Sequence, residues 1–401
     1  MILQESKLRR FLCILFKCLC FARLDFTIIH KMSRFARRLQ RVSKVTNQTP
    51  PGGGGGSITH GEQLTKADTT YSSLGVTSGQ LQQTANPSRG YFRGDTPEDF
   101  VPSQTYVYNN NPSNKGGIVP AGGMTIDGYT VAAGTYVAQF QEFSTDFYMT
   151  GSTSYLFRGC RIRGINRAPG FWNTAAGYSG KISIGYCDIG GDGAADAQYN
   201  EVAIKISVGA GGVIYRNYIS YTTTGIQINT NNYDLTENYI DKLSYYYGPN
   251  PPPGESTDKH LNGITLNGGE ANIRILRNYI VGQNPDDAGR TINQTDCISF
   301  FQDFGGFPGS GTNSDGTSGY RVIDNYLGGT GYCVYAGRNA GASATSVQNM
   351  YISGTKITTQ WYPNGGANGP IAAEPVWGSY GNLETNNTWA DGPNVGTSAF
   401  S

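Results

Sequence analysis

The stretch Gly212-Val213-Ile214-Tyr215-Arg216-Asn217-Tyr218-Ile219 decides the fold, because the chain writes it again and again. A short β-branched or aromatic run is followed by a polar pair, an aromatic residue and an aliphatic one. The second half returns as Glu237-Asn238-Tyr239-Ile240, Arg277-Asn278-Tyr279-Ile280 and Asp324-Asn325-Tyr326-Leu327. Gly159-Cys160-Arg161-Ile162 and Tyr186-Cys187-Asp188-Ile189 precede these with Cys in the Asn place, and Thr355-Lys356-Ile357 closes the series. The steps between copies are 27, 30, 21, 40, 47 and 30 residues, a base period of 21 to 30 with insertions. Between the copies lies a second pattern, small-apolar-polar-apolar. It reads Ala203-Ile204-Lys205-Ile206, Gly225-Ile226-Gln227-Ile228, Gly263-Ile264-Thr265-Leu266, Cys297-Ile298-Ser299-Phe300 and Cys333-Val334-Tyr335-Ala336.

Two interleaved strand repeats of this period describe stacked rungs, each burying its apolar face against the next. An antiparallel sandwich gives no reason for one residue type to recur at one point of every period. In a parallel coil, equivalent residues stand about 4.8 Å apart and form ladders. Asn217, Asn238, Asn278 and Asn325 then become neighbours, and a carboxamide that both donates and accepts satisfies such a column from within. Asn also tolerates the left-handed backbone of a sharp turn. The expected fold is an all-β parallel β-helix over residues 151–360. Residues 57–150 are expected to cap its N-terminal edge and 361–401 its C-terminal end.

Composition agrees. Of 401 residues, 56 are Gly and 27 Tyr, and only 15% are charged. The chain is too rich in Gly and β-formers for a helical bundle, and too apolar for disorder. No apolar run reaches 18 residues, so no membrane span is expected. Residues 1–46 hold 11 of the 30 Lys+Arg and 2 of the 29 Asp+Glu, a net +9 against −8 for the remainder. That acidic body argues against nucleic acid as the main partner.

The basic leader, residues 1–56, ends in a hinge of Pro50, Pro51 and Gly52 to Gly56. Its apolar stretch 11–22 follows Lys7, Arg9 and Arg10 as a secretory signal would, but no small-x-small cleavage site follows. A start at Met32 is the other reading. The seven cysteines show no zinc spacing, and Cys160, Cys187, Cys297 and Cys333 read as small buried packers. No metal and no cofactor is expected.

The rungs, the Asn places and the Gly-Ile-x-Ile strands resemble the pectate-lyase-like right-handed parallel β-helix superfamily over roughly residues 150–360. The Gly-rich hinge, the Tyr-rich rungs and the ending Thr388-Trp389-Ala390-Asp391-Gly392-Pro393 resemble minor tail proteins and tail spikes of phages infecting actinobacteria. The resemblance implies right-handed winding and a virion-surface structural protein. It implies a homotrimer, attached to other tail proteins and facing a host cell-surface glycan.

Polysaccharide-cleaving β-helices line carboxylates along one outer face, an acid opposite a second carboxylate or a base beside a cation. Candidates for that chemistry are Asp258 and His260 before Gly263, Asp296 before Cys297, and Asp303 after Phe300. Gln294-Thr295-Asp296 resembles the Asn-Thr-Asp element of polygalacturonases, with Asp296 and Asp303 as acid and base and His260 assisting. The paired Asp, Gly-His-Gly and Arg-x-Lys elements of that family do not follow, and Asp286-Asp287 lies upstream. The plainer expectation for Asp296 and His260 is turn bonding at a strand entry.

Strand alternation turns Tyr218, Tyr239, Tyr279 and Tyr326 outward in one column, a candidate surface for glycan stacking or subunit contact. Display rod for host recognition, polysaccharide hydrolase or lyase, and secreted bacterial adhesin are the three functional expectations, in that order. The long loops after Leu266 and Phe300 place the site at the middle rungs.

Overall fold

A strand whose inner face is apolar needs a second layer to cover it; in this chain the cover is the rest of the same coil. The computed structural model describes residues 64–74, 82–84, 106–108, 118–120, 124–143, 146–163, 170–191, 200–244, 260–266, 270–283, 294–300, 319–336, 349–372 and 382–400. The leader and hinge, Asp258 and Asp303 lie outside these residues.

One rung sets the pattern. Gly212–Tyr215 is followed by a bend at Arg216 and Asn217, then by Tyr218–Ser220, the single residue Tyr221, and Thr222–Ile228. The next rung begins at Tyr233–Thr236. Strands of like place pair in parallel from rung to rung, with Ile214 opposite Leu235, Tyr218 opposite Tyr239 and Ile226 opposite Ile264. They make three long sheets, called first, second and third in chain order within a rung. The fold is a right-handed parallel β-helix.

The interior is aliphatic and continuous. Ile184, Ile214, Leu235, Ile275, Val322 and Ile352 line the first sheet. Ile162, Ile189, Ile219, Ile240, Ile280, Leu327 and Ile357 line the second, and Ile204, Ile226, Ile264, Ile298 and Val334 the third. All four described cysteines are buried free thiols. Cys297 and Cys333 lie in third-sheet strands, whereas Cys160 and Cys187 sit in the bend, in the Asn column itself.

The coil runs further than 151–360. Tyr136–Gln139 already pairs in parallel with Tyr155–Arg158, and Leu383–Thr385 and Thr388–Trp389 form a last rung. The first rung carries Gln139-Phe140-Gln141 at its bend, so the repeat signature is absent there although the geometry is kept, with Phe140 at φ 54°.

Ahead of the first rung, Gln82–Thr84 adds a parallel strand to the second sheet. Tyr106–Tyr108 and Ile118–Pro120 close the first sheet with antiparallel pairs. At the far end Ala399 and Phe400 enter the core, and Ala399 donates its amide to Asn387 O at 3.0 Å.

The bend departs from expectation in one respect. The left-handed residue is the one before the ladder position: Tyr186, Arg216, Glu237, Arg277 and Asp324 have φ between 50° and 57°. Each Asn instead holds the turn with its side chain. Asn238 Nδ2 donates to Ile214 O and Asn278 Oδ1, both at 2.9 Å. Its Oδ1 accepts from Asn217 N at 3.1 Å and Asn217 Nδ2 at 2.9 Å. The same four bonds recur at Asn278. Asn387, which the repeat did not include, joins the column by accepting from Thr355 N.

Candidate functional site

Two outward faces carry the chemistry-bearing residues. On the second sheet the four tyrosines stand in register, as alternation requires. Tyr239 and Tyr279 stack at 4.3 Å and 6° between planes, Tyr279 and Tyr326 at 5.2 Å and 7°. The column is covered, however. Leu64 packs with Tyr279 and Val281, and against Tyr239 and Tyr326. The Lys66 ammonium sits 3.8 Å from the centre of the Tyr218 ring.

Residues 64–74 therefore form a strap that crosses the rungs against the winding direction. Thr70 N bonds Arg216 O at 3.2 Å, and the Leu74 side chain lies near Phe140 and Gly159 at an earlier bend. The strap's first turn closes with a capping box between Thr65 and Asp68. Beneath it lies Asp241, whose buried Oδ1 has no hydrogen-bond partner. Burial outweighs the attraction of Lys242, Lys66 and Arg163 and pushes its carboxyl up to about 6. Burial also lowers the Lys66 ammonium, and raises the Tyr218 and Tyr239 hydroxyls to about 12.

The third sheet presents a different face. Its outward residues follow from the polar place of the second repeat: Lys205, Gln227, Thr265, Ser299 and Tyr335 stand in register along the coil. Ser299 Oγ donates to Asp296 Oδ2 at 3.0 Å, which puts Asp296 on this same face. Asp296 pairs in register with Asn262 on one side and Tyr332 on the other. The result is a block of four polar residues on two adjacent rungs, Asn262 and Thr265 beside Asp296 and Ser299, all buried.

Three oxygens of this block have no partner: Asn262 Oδ1, Thr265 Oγ1 and Asp296 Oδ1. Asp296 is fully buried, and desolvation pushes its carboxyl up to about 7 against the Ser299 hydrogen bond. A buried polar atom left unpaired costs about 1–3 kcal/mol, so three side by side mark a place where a donor is wanted. Tyr332 and Tyr335, both half-exposed, flank the block one rung further on.

Of the residues expected to act, Asp296 lies at the centre of this block. His260 is exposed and one residue ahead of Leu261, whose amide donates to Thr295 Oγ1 at 3.1 Å. Asp258 and Asp303 fall outside the described residues. Asn262, Thr265, Ser299, Tyr332 and Tyr335 were not expected to form a site. The signal for most of them was present as the polar place of the Gly-Ile-x-Ile repeat, which alternation turns outward. Among the described residues, no three His, Cys, Asp or Glu side chains gather as a metal site, and no helix is long and apolar enough to cross a membrane.

Comparison of the chain with family models, with curated proteins and with solved structures returned no match.

Proposed function

We propose that the protein is a rigid display rod that recognises a glycan on a host surface with the outer face of its third sheet, as a component of a phage tail. The observation that carries this reading is the pair of half-exposed tyrosines, Tyr332 and Tyr335, on the outer face of a long parallel coil at the middle rungs. Sugars present C–H faces that rest on tyrosine rings and hydroxyls that bond the polar groups around them. The long coil suits display, because its interior ladder and core leave the outer faces for recognition. The basic leader serves as the virion attachment segment and copies assemble as a homotrimer; these two parts rest on the resemblance to tail spikes. Retention of the protein on immobilised actinobacterial wall glycans tests the reading. Wild type should be retained, and Tyr332→Ala should weaken retention about tenfold, the loss of one stacked ring. Wild-type protein that passes every wall preparation unretained would overturn it.

A specific observation favours a second reading, that of a polysaccharide-cleaving enzyme. Burial pushes the Asp296 carboxyl up to about 7, so about half of it keeps its proton at neutral pH, the state a general acid needs toward a glycosidic oxygen. New reducing ends, or unsaturated uronate absorbance, after incubation with the same glycans would favour this reading over simple binding.

A further inference from the structure

We infer that the early rungs of the third sheet's outer face carry a second, charge-selective subsite, built from Tyr148, Trp172 and Lys205, that takes a carboxylated saccharide. The inference rests on the glycan reading above and names a ligand class for a part of that face distant from Tyr332 and Tyr335.

The outward column of the third sheet starts before Lys205. Tyr148 pairs in register with Trp172, Trp172 with Lys205, and Lys205 with Gln227. All four are half-exposed, whereas Thr265 and Ser299 further along are buried. The accessible part of the column is therefore split in two. This patch lies at one end and Tyr335 at the other, five rungs beyond Trp172, or about 24 Å. The Tyr148 and Trp172 rings have centres 4.1 Å apart with 34° between planes, and Trp172 Nε1 donates to Asp146 Oδ2 at 2.7 Å. One ring is backed by another and pinned by a hydrogen bond, so the platform is set before a ligand arrives and little side-chain freedom is lost on binding. The core does not use this pair, because Phe147 and Phe171, one residue earlier on each strand, already fill the interior.

Charge sets the ligand class. A sugar ring that rests its C–H face on the indole brings its own carboxylate within reach of the Lys205 ammonium, since the Lys205 and Trp172 backbones stand about 4.8 Å apart. The Asp146 carboxylate precedes the strand of Tyr148, two rungs or about 10 Å from Lys205, so an anionic group is drawn to the Lys205 side of the indole. Residues 47–401 carry a net charge of −8, so an acidic ligand gains nothing from the body as a whole and finds its attraction locally. Gln227, one rung past Lys205, adds an amide that both donates and accepts toward sugar hydroxyls.

The full-length protein is titrated by calorimetry against a short dextran and against the same dextran carboxymethylated, a pair that differs only in charge. The carboxylated form should bind about threefold more tightly, within the range of an exposed ion pair, and the preference should fade as salt is raised. Lys205→Gln changes a half-exposed surface residue, so it should fold as wild type does and abolish the preference, and Lys205→Arg should restore it. Trp172→Ala should weaken both forms about tenfold. Tyr332→Ala, in the other patch, should leave the preference intact. Equal affinity for the two dextrans, or binding to neither, overturns the inference, and retention on wall glycans would then leave the glycan reading standing. A preference that survives Lys205→Gln also overturns it, because the anion would then be held elsewhere, as by the basic leader. Failure to bind either dextran together with failure to bind any wall glycan overturns both readings.

Discussion

At the scale of single residues, the bend between first and second strands shows two opposed costs. A left-handed backbone at a residue with a side chain is unfavourable by about 1–2 kcal/mol. The coil accepts it at Tyr186, Arg216, Glu237, Arg277 and Asp324, none of which is glycine or asparagine. What holds those residues there is the next one along. Asn238 makes four hydrogen bonds through its carboxamide, and each lands on a buried group. Replacing Asn238 by Ala removes all four, strands the amide of Asn217 and the carbonyl of Ile214, and leaves the strained Glu237 without its clamp. The expected loss is about 3 kcal/mol. It should appear as a lower urea midpoint with an unchanged slope, and a midpoint within error of wild type would show that the column is ornamental. This also explains what was legible. The Asn places were readable because one residue type does one job on every rung. The left-handed places were not, because five positions use four residue types and the strain is imposed by the neighbour.

At the scale of elements, the strap 64–74 decides what the second sheet can do. Alternation alone placed the tyrosine column outward, and the rings are there. Their cover was illegible, since Leu64 meets Tyr279 across more than two hundred residues and the strap has no periodic pattern to read. The strap covers the Asp241 carboxyl while Lys66 stays exposed and forms no salt bridge with it, so its docking depends on pH. The docked Asp241 carboxyl titrates near 6, against 3.8 for the free group. The docked state therefore binds the proton more tightly, and this contribution to docking is complete below about pH 4 and lost as pH rises through about 6. Over that window docking should weaken by roughly 2–3 kcal/mol, taken as an upper bound. Lys66, Lys242 and Arg163 face the same carboxylate and oppose the trend, but burial is the larger influence. Amide exchange of residues 69–74, corrected for intrinsic rates, should be slower at pH 5 than at pH 7.5, and Asp241→Asn should remove the difference. Equal protection at both pH values in the wild type would sink the idea. Leu64→Ala should raise exchange in the same segment at every pH, because it deletes the strap's leucine side chain that packs on the stacked rings; a buried Leu truncated to Ala costs about 2–5 kcal/mol.

At the scale of the whole molecule, stability accumulates rung by rung through contacts between neighbours. The same logic explains why the fold was readable and the site only partly so. A coil repeats its demands, so the aliphatic columns and the amide ladder are written many times. The third-sheet block is written once, on two rungs, and depends on which residues happen to stand beside each other after insertions of different length. Asp296 was visible through its neighbours Gln294 and Thr295, whereas Asn262 and Thr265 become its partners only when the register is known. Nearest-neighbour stability has a consequence at the open end. Phe400 enters the last turn of the core, and the tail that carries it bonds back through Gly396 N to Trp389 O at 3.0 Å and Ala399 N to Asn387 O at 3.0 Å. Phe400→Ala should cost about 3 kcal/mol, close to a hundredfold rise in amide exchange, but only near the end. Residues 352–357 and 383–389 should exchange faster, while 213–219 and 234–240 in the middle rungs should not change. Faster exchange across all of these segments together would mean that the coil unfolds as one unit and that its rungs do not add independently.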